Sequence, residues 1–229
     1  HGSEERYRAD KLRLFALPGV RAAVRPPGEG GGWSPVVPVA QIPLRGRHNA
    51  ENVAAAVAAI EAAGFAVPPL PQALAGLRPL PHRLQTAHTE ADGTEWVDDS
   101  ISTTPESALA ALAAFEGRPV VLIAGGSDRR QRYDALGRML ASRTQDTRLI
   151  VLPETGARIG EAAAAHGLRP DRMSTAGDMR EATLLAQRLI VPGGVVLLSP
   201  AAPSFSQYAN FEQRGDDFAA CAKSVALRA

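Results

Sequence analysis

One cysteine, Cys221, stands in a chain of 229 residues. No internal disulfide can therefore staple the fold, and no Cys/His cluster has zinc-site spacing, a usage that fits a reducing compartment. An excess of charge of one sign is also lacking. The 25 Lys and Arg face 24 Asp and Glu for a formal net charge of +1, which excludes nucleic-acid binding driven mainly by electrostatics. Long apolar runs are missing too. Those present, such as Val195 to Leu198 and Ala108 to Phe115, fall well short of the ~20 residues that a membrane-spanning helix requires. Lysine is scarce, with only Lys11 and Lys223 among the basic residues. There is no initiating Met, and His1-Gly2-Ser3 leads straight into a helical pattern, so the chain is expected to be the back part of something longer.

What is present is a globular composition, 45% hydrophobic and 21% charged, at a length between the usual one-domain and two-domain sizes. Residues Glu4 to Phe15 carry Tyr7, Leu12 and Leu14 among charges, a short amphipathic helix. From Pro26 to Pro38 glycine and proline dominate. Gly28, Gly30, Gly31 and Gly32 are followed by no Lys-Ser/Thr pair, so a flexible loop is expected there, not a phosphate loop. The alanine-rich run Asn49 to Ala63 places Val53, Val57 and Ile60 at helical spacing and stops at Gly64. A second helical piece covers about Gln72 to Leu77, and Pro79-Leu80-Pro81-His82-Arg83 makes a turn.

From about Leu84 strand candidates alternate with helices. The strands are Glu95 to Asp98, Pro119 to Ala124, Leu149 to Leu152 and Val195 to Leu198. The helices run to Phe115, to Leu140 and to His166, then over Met179 to Leu189 and from about Ser206. This alternation predicts an α/β fold with a mostly parallel sheet, whose ligands gather at the carboxyl ends of the strands. Three loops sit there.

In the first loop, Asp99 to Thr104, Thr104 suits a helix cap and Pro105 the first helical position. The helix end and the hydroxyls of Ser102 and Thr103 can hold an anion, while plain capping is the competing reading. In the second, Gly125 to Arg130, which is expected to open the next helix, two glycines permit a tight turn and Arg129 can pair bidentately with a carboxylate, or simply be solvated. In the third, Ser199 to Phe205, small side chains admit a ligand, and Ser204 at a helix start either donates to a carboxylate or caps the helix. Upstream, Asn49 and Asn52 share one helical face and can read an adenine edge, although Asn49 also suits a cap. His48 alone reads as a structural histidine.

Gly46-Arg47-His48-Asn49-Ala50-Glu51-Asn52, Pro81-His82-Arg83, Asp99-Ser100, Gly125-Gly126 and the tail from Leu197 to Phe218, with Ser199-Pro200-Ala201-Ala202-Pro203-Ser204-Phe205 and Asn210-Phe211-Glu212-Gln213-Arg214-Gly215, resemble the Mur ligase family and its glutamate-adding branch. The resemblance covers most of the chain except Pro26 to Val39, and the stretch between Phe15 and Gln41 is shorter than the family pattern. It implies that residues 1–83 are the end of a central P-loop ATPase domain and residues 84–229 a C-terminal Rossmann-like domain that binds glutamate. No G-x-x-x-x-G-K-[ST] is present, so the chain alone is expected to be inactive.

The resemblance further implies a cytoplasmic, monomeric ligase that uses ATP and Mg2+ to join glutamate to UDP-N-acetylmuramoyl-L-alanine through an acyl phosphate. Positioning and electrostatics would carry most of that chemistry. By the same token Lys11 matches a carbamylated, magnesium-binding lysine. His48, Asn49, Asn52, Arg83 and Asp99 match the nucleotide site, and Ser102, Thr103, Arg129, Ser204, Phe205 and Phe211 the glutamate site, with Lys11 and Arg129 as catalytic positions. Two departures bear on stereochemistry: Ile101 stands where the branch has lysine, and Arg129 replaces a pocket lysine. Both favour an L-glutamate-adding enzyme, while the Asn-Phe-Glu-Gln-Arg-Gly tail is that of the D-glutamate enzyme. Another Mur or folylpolyglutamate-type ligase is a same-class alternative. A non-catalytic nucleotide- or amino-acid-binding module is the alternative from a different class.

Overall fold

A computed structural model of the chain describes residues 3–18, 24 and 32–226. The glycine-rich segment expected as a loop lies outside these up to Gly31; residues 32–38 have no regular structure. Two compact units divide between Arg78 and Pro79.

The first unit holds α1 (Glu4–Arg13), α2 (His48–Ala62) and α3 (Leu70–Ala75). Alanine-rich α2 ends where its sequence indicates. Gly64 takes φ +81°, its N–H reaches the Glu61 carbonyl and the Phe65 N–H reaches Ile60, a Schellman closure that a side chain at residue 64 would strain. The core of this unit is small: Val37, Ile42, Ala50 and Leu74 are its buried cluster.

The second unit holds β1 (Gln85–Thr89), β2 (Glu95–Asp98), α4 (Pro105–Ala113), β3 (Val120–Gly126), α5 (Asp134–Ser142), β4 (Thr147–Glu154), α6 (Gly156–Ala165), β5 (Met173–Thr175), α7 (Met179–Leu189), β6 (Val195–Leu198) and α8 (Phe211–Ala226). The sheet order is β1-β2-β6-β3-β4-β5, with every neighbouring pair parallel except antiparallel β1 and β2. Strand side chains alternate between two faces. Val120, Leu122 and Ala124 of β3 pack with α4, α5 and α6, whereas Val121 and Ile123 pack with α7 and α8. Helices on both faces of a mostly parallel sheet make the expected α/β architecture.

The chain leaves β3 for a helix on one face and β6 for a helix on the other, so the crevice between these neighbouring strands is a topological switch point. No helix among the described residues is long and apolar enough to cross a membrane.

Candidate functional site at the carboxyl edge of the sheet

The loops after β2, β3 and β6 meet at this switch point. The sequence places a carboxylate at the start of the first, two glycines in the second and small residues in the third. Main-chain bonds fix them to one another: Ala201 N–H donates to the Ser102 carbonyl, Gly125 N–H to Pro200 and Ser127 N–H to Pro203. Gly126, at φ +150°, passes so close to the third loop that a Cβ would lie 2.2 Å from the Pro203 carbonyl oxygen. Only glycine fits there.

Asp99 is buried beneath these loops. Its Oδ2 accepts from Ser102 Oγ at 2.5 Å and Ser199 Oγ at 2.7 Å, and its Oδ1 accepts from the Leu84 N–H at 3.1 Å. Burial pushes its carboxyl up to about 6, against the opposing pull of the hydrogen bonds from Ser102, Ser199 and Leu84. Next to it, Asp98 Oδ2 lies 2.7 Å from His82 Nδ1. The His82 ring meets Phe211 edge-on, with centroids 6.1 Å apart.

Arg214 is the largest charged group in the core, 1% exposed. Its Nε donates to Ser100 Oγ at 3.0 Å, Nη2 to the Ser100 carbonyl at 2.8 Å and Nη1 to the Ala202 carbonyl at 3.0 Å. The Ser100 hydroxyl in turn donates to the Phe211 carbonyl at 2.7 Å. One guanidinium thus ties the β2 loop, the β6 loop and α8 together, and desolvation lowers its pKa to about 10. In the sequence Arg214 stands only as one member of the Asn210 to Gly215 motif. A signal was nevertheless present, since Arg214, Phe218, Ala222 and Val225 repeat at i, i+4, i+8 and i+11 and so share the inward face of α8.

The rim above this wall is exposed. Arg129 stands in the β3 loop with its guanidinium 5.8 Å from the ring of Phe205, which is 64% exposed. Among the described residues Arg129 makes no ion pair, although its neighbour Asp128 pairs with Arg158 at 2.6 Å. Thr103 is half-buried, and its carbonyl accepts from Gln131 Nε2 at 3.1 Å. Thr104 caps α4 in a reciprocal capping box with Ser107, and Pro105 takes the first turn, as the sequence indicates.

Two local expectations are corrected. Ser204 does not start a helix; it is buried in a turn whose Gln207 and Tyr208 N–H groups return to its carbonyl. The helix begins at Phe211, where Asn210 Oδ1 accepts from the Gln213 N–H, so asparagine and not Ser204 supplies the cap. Likewise Gly125 to Arg130 does not open directly into a helix. Asp128 Oδ1 accepts from the Arg130 N–H at 2.6 Å and Arg130 takes φ +57°, so helical geometry is postponed to Asp134.

The structure therefore brings Asp99, Ser102, Thr103, Arg129, Ser204, Phe205 and Phe211 to one edge of the second unit, where Arg83 is exposed in the turn before β1. His48, Asn49 and Asn52 lie in the first turns of α2 in the other unit, Asn49 Nδ2 donating to the Arg45 carbonyl at 2.7 Å and Asn52 Nδ2 to Asn49 Oδ1 at 3.3 Å. Lys11 is exposed on α1, its Nζ 5.3 Å from the Tyr7 ring centroid. Among the described residues no group of His, Cys, Asp and Glu is placed to hold a metal ion.

The family profile described as Mur ligase, glutamate ligase domain matches residues 82–202. The UDP-N-acetylmuramoyl-L-alanine–L-glutamate ligase of Salinispora tropica is 37% identical, the match covering 99% of this chain and 57% of that protein. The UDP-N-acetylmuramoylalanine–D-glutamate ligase of Symbiobacterium thermophilum is 39% identical across 82% of this chain and 40% of that protein. The chain thus spans about half the length, or less, of these relatives. Among solved structures, MurF from Acinetobacter baumannii superposes with a TM-score of 0.59 at 20% identity, covering 80% of this chain and 39% of that one. MurF from Thermotoga maritima, solved with ADP, gives 0.58 at 16% identity over 81% of this chain and 40% of that one. Likeness at this identity concerns the fold.

Proposed function

Because the chain belongs to the Mur ligase family, we propose that it is the glutamate-binding end of an ATP-dependent ligase that joins glutamate to UDP-N-acetylmuramoyl-L-alanine in peptidoglycan synthesis. The observation that carries this reading is Arg129, a guanidinium on the exposed rim of the crevice that makes no ion pair among the described residues. It stands beside an aromatic ring and above a wall whose two charged groups, Asp99 and Arg214, are already bonded to the protein. A planar guanidinium pairs two-pronged with a carboxylate, and glutamate carries two. In this reading Arg129 takes one carboxylate, Thr103 and Ser204 orient the amino acid, and Phe205 and Phe211 flank it. Holding the amine against an activated carbonyl is a positioning task.

In this account the second unit serves as the glutamate domain, with Arg83 as a nucleotide contact of its own, and the first unit as the end of a nucleotide-binding domain that carries Lys11, His48, Asn49 and Asn52. ATP and magnesium are what the reaction calls for, in a cytoplasmic enzyme. The residues present do not complete a site for either: there is no phosphate loop in the sequence, no metal-ligating cluster among the described residues, and the Asp99 carboxylate is committed to Ser102, Ser199 and Leu84.

L-glutamate is the favoured isomer. Relatives named for it match 96% to 99% of this chain, whereas those named for D-glutamate match 78% to 82%. The D-glutamate reading rests on the tail motif from Asn210 to Gly215. Offering the gene product that contains this chain each isomer separately, with ATP and the acceptor, decides between them. Phosphate release with L-glutamate is expected, release with D-glutamate alone selects the second reading, and release with neither sinks both.

A further inference from the structure

Arg158, on α6 and outside all three site loops, holds the β3 loop at three points. Its Nη1 donates to Asp128 Oδ1 at 2.6 Å, its Nη2 donates to the Gln131 carbonyl at 2.6 Å, and its guanidinium lies 5.4 Å from the ring centroid of buried Tyr133. Arg129 lies between the first two anchors. Gln131 then passes the constraint on, its side-chain amide donating to the Thr103 carbonyl in the β2 loop at 3.1 Å. The loop needs such a bracket, because it carries a left-handed Arg130 and forms no helix before Asp134. An exposed ion pair by itself holds little. Here the same guanidinium also serves a main-chain carbonyl and packs on a ring, so its plane and direction are fixed.

We propose that Arg158 is a positioning residue for glutamate capture: it touches no substrate, but sets the place of Arg129 and, through Gln131, of Thr103. The proposal rests on the glutamate-ligase reading for its functional consequence and on the structure alone for the bracket.

Steady-state kinetics of the gene product containing this chain, with glutamate, ATP and acceptor varied in turn, test the consequence. Hydrogen exchange over residues 127–133 tests the bracket without any substrate. Arg158→Ala is expected to raise the KM for glutamate about tenfold, the factor that ~1.4 kcal/mol corresponds to, and to leave the KM for ATP unchanged. It is also expected to speed exchange over 127–133 and to shift Tm by no more than about 2 °C. Arg158→Lys is expected to behave like the alanine variant, since an ammonium cannot span both acceptors while stacking on Tyr133. A glutamate KM that does not move, an equal rise in the ATP KM, or full rescue by lysine overturns the proposal. If the unmodified enzyme turns over no glutamate, the ligase reading fails and exchange decides the bracket alone: unchanged protection in Arg158→Ala overturns it.

Discussion

The buried wall and the exposed rim of the same crevice are built on opposite terms. In the wall, Asp99 and Arg214 are almost wholly removed from water and bonded to the protein itself. On the rim, Arg129 and Phe205 face solvent beside each other. A buried charge must be compensated internally, so it leaves little bonding capacity for a ligand, whereas a solvated guanidinium can exchange water for a carboxylate. The wall therefore shapes the loops and the rim reads the amino acid. Changes in the wall should appear as stability, and changes in the rim as affinity.

Arg214→Ala should have the largest effect. It removes three hydrogen bonds that join two loops to α8 and leaves the Ser100 and Ala202 carbonyls buried without partners. A loss of roughly 3 kcal/mol is expected, read as a fall of roughly 10 °C in Tm for a unit of this size. A stable variant with an altered glutamate KM would break the division between wall and rim.

Asp99 comes next and gives a pH signature. Its folded pKa of about 6 lies above the ordinary 3.8, so the folded state holds the proton more tightly than the unfolded one. Its contribution therefore favours folding most below about pH 4, declines as pH rises through the window between roughly 4 and 6, and is constant above it, a change of roughly 2–3 kcal/mol. Asp99→Asn keeps an oxygen for the Leu84 N–H and can donate to both serine hydroxyls. Denaturant melts across pH 4 to 8 should show this part of the slope vanish in the variant. An unchanged slope would mean that Asp99 is not held as described.

Arg129→Ala sharpens the comparison from the other side. The KM for glutamate should rise roughly thirtyfold, about 2 kcal/mol, with the KM for ATP and the Tm unmoved. Equal rises in both KM values would take Arg129 out of the pocket.

How much of this was legible follows from what each residue must satisfy. A strand buried on both faces announces itself as an apolar run: Val195 to Leu198 is β6 with the bounds expected. Glu95 to Asp98, which is β2, has the expected bounds too, although only Trp96 and Val97 in it are apolar. The edge strands β1 and β5 escaped, because Gln85–Thr89 is largely polar and exposed and Met173–Thr175 has three residues. Thr104 and Pro105 were readable because capping is local. The bonds of Arg214, Ser199 and Arg158 were not, since their partners are far away in sequence: Arg214 meets Ser100, Ser199 meets Asp99, and Arg158 meets Asp128 and Gln131. Motifs located the site, and tertiary contacts divided it into wall and rim.

The most direct test of the whole account is the mass of the product formed when the gene product containing this chain meets ATP, UDP-N-acetylmuramoyl-L-alanine and glutamate. The account predicts an acceptor heavier by one glutamyl residue in amide linkage, formed only when ATP and glutamate are both present. ATP consumption with no glutamyl adduct, or an adduct from a different amino acid, would contradict it.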